Sequence, residues 1–185
     1  MRRFIALLLL LVVPAGAARS WTLVRDTWAY PNRFAEVVPG QLYRGGVPSA
    51  EHVIRLSEEK GVKTVLCLTG ETKRPEERAA LVAIQGRGIR LIRVPMPGDG
   101  TGTFEAMDEA AEAIADTSTW PMYFHCAAGK QRSNAALAAY MLKKKGTSLD
   151  ATLAELQEKY DLDPVEEKKL YDHIKSYSDY LHSKN

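Results

Sequence analysis

Residues 121–145 constrain this chain more than any other stretch. Pro121 to Phe124 is apolar and β-prone, and His125-Cys126-Ala127-Ala128-Gly129-Lys130-Gln131-Arg132-Ser133 follows it. An alanine-rich helical pattern then runs from Asn134 to Lys145. A strand, a tight loop and a helix N-terminus in that order form a backbone cradle for an oxyanion. Ala127, Ala128 and Gly129 are small enough for the curvature that turns several N–H groups inward.

The polar residues of the loop give the cradle its chemistry. A thiol at its base is stabilised as thiolate by the amides and the helix dipole, so Cys126 is expected to ionise well below the free-thiol range. Arg132 offers a planar fork that holds two phosphate oxygens at once. Ser133 is placed to hydrogen-bond the sulfur and assist its departure, and His125 is expected to fix the loop rather than act as a base. The implied reaction is two-step phosphoryl transfer through a phospho-cysteine, which requires neither cofactor nor metal.

This segment resembles the signature H-C-x5-R-[ST] of the cysteine-dependent protein tyrosine phosphatase superfamily, in the form found in its compact dual-specificity branch. The likeness extends to Val38-Pro39-Gly40-Gln41-Leu42-Tyr43-Arg44-Gly45-Gly46-Val47-Pro48, which is similar to the family's opening hairpin. It also takes in Gly61 to Leu68, similar to its first buried parallel strand. The resemblance covers roughly residues 34–180. It implies a single α/β domain with a central, mostly parallel sheet of about five strands and helices on both faces. The family's Thr-Gly after the arginine is Ser133-Asn134 here, which keeps the hydroxyl but alters the packing of loop on helix. A low-molecular-weight phosphatase would carry its loop near the N-terminus, whereas this one follows two strand–helix units. Two other classes compete: a phosphate-binding module without turnover, and a sulfur transferase, against which the Arg132-Ser133 pair argues.

The chain has 185 residues, 45% hydrophobic and 26% charged, the size and balance of one globular domain. Met1-Arg2-Arg3, the apolar run Phe4 to Val13 and Pro14 to Ala18 read as a secretory signal peptide over residues 1–18, cleaved after Ala17 or Ala18. The catalytic domain then spans 19–185, the protein is periplasmic or secreted, and no stable membrane span survives processing. Losing Arg2 and Arg3 takes the formal charge of +2 to about 0, so nucleic acid is not an expected partner. Only Cys67 accompanies Cys126. Some family members use a second cysteine in this region to capture an oxidised nucleophile. The resemblance therefore makes Cys67 a candidate redox partner, against the plainer reading of a core residue.

The remaining elements follow from caps and periodicity. Residues 20–33, with Trp21, Trp28 and Tyr30, form an extended arm. Strands are expected over 34–38, 42–44, 63–68, 89–94 and 121–125. Helices are expected over 49–60, 76–85, 103–116, 134–145, from Ser148 or Asp150 to about 160, and 164–181 with Pro164 at its first turn. Lys143 to Lys145 read as a solvated helix end.

Protonating a leaving group needs a carboxylic acid on a mobile loop. The family places an Asp before the helix that leads to the catalytic strand, and Asp99, flanked by Gly98 and Gly100, occupies that region. Glu105 and Asp108 are reserves. Lys130 projects from within the loop toward a second phosphate, and Arg44, Lys73 and Arg74 add charge at the rim. The short flanking loops make a shallow site. Expected substrates are phosphorylated protein (phosphotyrosine, with phosphoserine and phosphothreonine), or a phosphoinositide or inositol phosphate.

Overall fold

The computed structural model describes residues 29–71 and 74–184. The expected signal peptide, Trp21 and Trp28 of the arm, and Lys73 lie outside the described residues. Two short strands, β1 (Ala35–Val38) and β2 (Leu42–Gly45), form an antiparallel hairpin whose turn uses Gly40 at φ 71°. Helix α1 (Ala50–Lys60) starts on a Ser49 side-chain cap and stops where Gly61 adopts the left-handed conformation. β3 (Thr64–Cys67), α2 (Pro75–Gly86), β4 (Arg90–Arg93), α3 (Phe104–Ala115) and β5 (Met122–His125) follow. The chain closes with α4 (Gln131–Ala139), α5 (Leu149–Tyr160) and α6 (Lys168–Ser183).

The five strands lie in the order β1-β2-β5-β3-β4, parallel except for the β1–β2 pair. Strand β5 is therefore central, and side-chain alternation divides its residues between two cores. Tyr43, Val65 and Tyr123 face α1 and α2 through Val53, Leu56, Ala80 and Ile84. Leu42, Leu66, Met122 and Phe124 face α3 to α6 through Met107, Ile114, Leu137, Leu156 and Ile174. All four β5 side chains are buried. The expected α/β fold, with a mostly parallel five-stranded sheet covered on both faces, is the one observed.

Three boundaries differ from expectation. The helix after the catalytic loop begins at Gln131, not Asn134, and its last turn, Tyr140–Lys144, widens to a π-helix. Helix α6 begins at Lys168 rather than Pro164. Asp163 Oδ1 accepts from the Val165 and Glu166 amides, which holds residues 164–167 in a turn before the helix. The lysine run is not simply solvated, because Lys143 pairs with Asp108 and Glu112, and Lys144 with Glu112.

Candidate active site

Cys126 is the first residue beyond β5, at the carboxyl end of the central strand. In open α/β sheets ligands bind outside the carboxyl ends of strands, where connections part to opposite faces. Here α1 leaves β2 on one face and α3 approaches β5 on the other.

Three successive loop carbonyls are tied down from outside. Val47 N–H donates to Ala127 O at 3.0 Å. Arg33 Nη1 donates to Ala128 O at 3.1 Å and Arg44 Nη2 to Gly129 O at 2.9 Å. With its carbonyls held outward, the loop turns its amides toward the sulfur. Gly129 must be glycine: its φ is 72°, and a Cβ there would lie 2.6 Å from both Gly45 C and Gly46 N. Gly45 and Gly46 are correspondingly small because the loop backbone and the Tyr123 hydroxyl press on them.

The Cys126 sulfur is buried, which opposes ionisation. The Ser133 hydroxyl at 3.3 Å and the amides of Ser133, Lys130 and Gly129 outweigh that cost and hold the thiol below its ordinary value. Arg132 stands on the first turn of α4, and its Nε is buried without a hydrogen-bond partner. An unsatisfied guanidinium nitrogen is costly, and a phosphate oxygen is the acceptor this one suits. Ala127 and Ala128 are exposed at the mouth, and Gln131 opens the helix.

Arg44 is not at the rim, contrary to expectation. It is 1% exposed and runs beneath the loop, where Nη1 donates to Asn134 Oδ1 at 2.7 Å and the guanidinium lies 4.4 Å from the Tyr160 ring. Burial pulls its pKa down to about 10, which leaves it charged at neutral pH, with the nearby Tyr160 and Cys126 acting against that pull. Asn134, where the family has glycine, passes the network on by donating to Tyr160 O at 3.1 Å. Arg33 and Arg44 are two of the site residues that sequence reasoning missed or misplaced. The run Arg44-Gly45-Gly46 beside a hairpin signals close backbone approach for Arg44, whereas no local pattern marks Arg33.

His125 stacks on Tyr123, and its Nδ1 donates to the Cys126 carbonyl at 3.2 Å, as a loop-fixing residue should. Cys67 ends β3 in register with His125, the residue before Cys126, on the strand next to the one that delivers the nucleophile. Both thiols are free. Burial opposes ionisation of Cys67, yet hydrogen bonds from His125 and Thr69 lower its pKa to about 6, and Arg93 Nη1 donates to the sulfur at 3.3 Å.

Asp99 is exposed on the loop between β4 and α3. Its carboxylate accepts from the Thr101 hydroxyl at 2.7 Å and the Thr101 amide at 3.1 Å, which hold it below the usual carboxylate range. The loop docks on the site, since a Cβ on Gly100 would meet Gln131 O at 2.8 Å. Asp108 is unavailable, because it accepts from Tyr177 and pairs with Lys143. Lys130 does not project outward: its Nζ lies 3.4 Å from Glu167 Oε2, at the start of α6.

A nested sulfur, a serine hydroxyl on it and an unpaired guanidinium at the mouth of a five-stranded α/β sheet define a cysteine-based phosphatase of the compact dual-specificity type. The family model described as "DSP-PTPase phosphatase fused to NAD+ Kinase" matches residues 19–172, and the chain belongs to that family. Among solved structures, the core catalytic domain of the PP-IP phosphatase SIW14 from S. cerevisiae is similar. It shares 23% identity over 83% of this chain and 94% of its own, with a TM-score of 0.62. Tk-PTP matches at 18% identity over 80% of this chain and 96% of its own, TM-score 0.68. P. aeruginosa TpbA matches at 18% identity over 82% and 92%, TM-score 0.63. A comparison with curated protein sequences finds no match.

Proposed function

We propose that this protein is an exported phosphomonoesterase that acts on phosphotyrosine, and on phosphoserine and phosphothreonine, through a phospho-Cys126 intermediate. The thiolate attacks phosphorus in line with the leaving oxygen, forming S–P as P–O breaks. Arg132 and the loop amides hold the equatorial oxygens as charge redistributes. Asp99 gives its proton to the leaving oxygen. Because Thr101 now holds that carboxylate ionised, the loop must release it for the step. Water then cleaves S–P, with Asp99 taking the proton and Ser133 stabilising the departing sulfur.

One observation carries this reading: the Cys126 sulfur accepts from the Ser133 hydroxyl and three loop amides, and Arg132, on the helix turn that closes the loop, has a buried Nε with no acceptor. The exposed mouth at Ala127 and Ala128 supports access for a short side-chain phosphate. A second reading, an inositol phosphate or phosphoinositide substrate, draws support from SIW14 being a PP-IP phosphatase and from the structure of PTPMT1 in complex with PI(5)P. The test is phosphate release from phosphotyrosine and phosphoserine peptides, phosphoinositides and inositol polyphosphates, with Cys126→Ser as blank. Faster peptide turnover and a trapped phospho-cysteine support the proposal. Faster turnover of inositol phosphates favours the second reading, and phosphate binding without release overturns both. Export is tested by N-terminal sequencing of the mature chain, expected to begin after Ala17 or Ala18.

A further inference from the structure

Lys130 belongs to the catalytic loop, and its amide is one of those that hold the Cys126 sulfur, so its ammonium is a cation carried by the phosphate cradle itself. Instead of reaching out, its ammonium sits against Glu167 at 3.4 Å, with side-chain exposures of 18% for Lys130 and 6% for Glu167. Glu167 is built into the frame. Its amide donates to Asp163 O at 2.9 Å, its Oε2 accepts from the Asp163 amide at 3.2 Å, and it is the residue immediately before α6. Its second oxygen, Oε1, is buried with no hydrogen-bond partner. The carboxylate therefore depends on Lys130 for its compensation. Drawing the lysine away would leave a buried anion with one amide for support, a costly state.

We propose, on the reading of this site as a phosphatase, that Glu167 sets its charge specificity. By neutralising Lys130 it restricts the site to substrates with a single phosphate and removes the contact a neighbouring phosphate would need. A polyanionic substrate meets an occupied lysine and a buried carboxylate behind it. Substrates with one phosphate need only the loop amides and Arg132, which the pair leaves untouched. Specificity here comes from a withheld attraction as much as from a contact made.

The test compares kcat/KM for p-nitrophenyl phosphate and myo-inositol hexakisphosphate in the wild type, Glu167→Gln and the Lys130→Met/Glu167→Gln double variant, with melting temperatures recorded for each. Glu167→Gln is expected to raise the hexakisphosphate-to-aryl-phosphate ratio about tenfold, as an unpaired lysine charge becomes available. The double variant, in which a neutral pair replaces a neutral pair, is expected to keep the wild-type ratio. An unchanged ratio in Glu167→Gln overturns the proposal, as does a gain that survives in the double variant. Should Glu167→Gln fail to fold, the double variant still decides: a ratio well below wild type would mean that Lys130 already touches the second phosphate. Loss of all turnover in the wild type would instead strike the phosphatase reading itself.

Discussion

Cys126 and Cys67 stand at the ends of adjacent strands, both buried, both free and both drawn below the ordinary thiol range. Their surroundings differ in kind. Backbone amides and Ser133 encircle Cys126, and an unpaired guanidinium stands at its mouth. Side chains hold Cys67: His125, Thr69 and an Arg93 already committed to the Thr69 and Gly70 carbonyls at 2.9 and 3.0 Å. Cys67 thus has charge compensation without a receptor. The contrast teaches that ionising a sulfur is the lesser part of making a phosphatase. The larger part is a buried guanidinium nitrogen with no acceptor of the protein's own, at the end of the loop that holds the sulfur.

The sharpest break of this contrast is substitution of each sulfur. Cys126→Ser is expected to lower phosphate release by about a thousandfold or more, on the order of 4 kcal/mol of barrier. Cys67→Ser should stay within about threefold, as a change away from the reacting atoms does. Comparable losses in both would erase the distinction. Next in size is Asp99→Asn. A drop of about a hundredfold is expected on an alkyl phosphate, and a much smaller one on an activated aryl phosphate, which hardly needs protonation. Equal losses on both substrates would point to another acid.

Arg44→Met sharpens the comparison from beneath the loop. It removes a buried cation and leaves the Gly129 carbonyl and Asn134 without their donor, at about 1–3 kcal/mol for each unsatisfied group. Turnover should fall about tenfold, less than the loss of a donor that touches the transition state itself, because Arg44 acts through the loop it holds. The pH at which iodoacetamide alkylates Cys126 should rise, while that of Cys67 stays fixed. A parallel shift of both would mean general loosening. The smallest effect concerns Cys67 alone. With orthophosphate shielding Cys126, its alkylation rate should climb as pH rises through about 6, since only the thiolate reacts, and Arg93→Met should slow it by a few-fold. A profile centred near an ordinary thiol value would deny Cys67 its depressed pKa.

What the sequence made legible was whatever is local. The strand at Cys126, the Ser49 and Thr103 caps and the Gly61 stop all rest on neighbours in the chain, and each stands where its pattern places it. The missed features rest on distant partners. Arg33 reaches Ala128 across 95 residues, Arg44 reaches Asn134 across 90, and Glu167 takes Lys130 from the far end of the domain. No window of sequence shows that a charged side chain will turn inward, so Arg44 reads as a rim residue and Lys130 as a free one. The late start of α6 has the same character on a small scale, because Pro164 suits a first turn but the Asp163 carboxylate captures the amides after it.

The loop is fastened to the opening hairpin and its flanks: Arg33 before β1, Arg44 within β2 and Val47 just after it each hold one loop carbonyl. Its shape is thus settled during folding, before any ligand arrives. An incoming anion freezes almost no backbone, so calorimetry of orthophosphate association should register a heat-capacity change close to zero. Deuterium uptake at the amides of Gly129 and Lys130 should already be slow in the ligand-free protein.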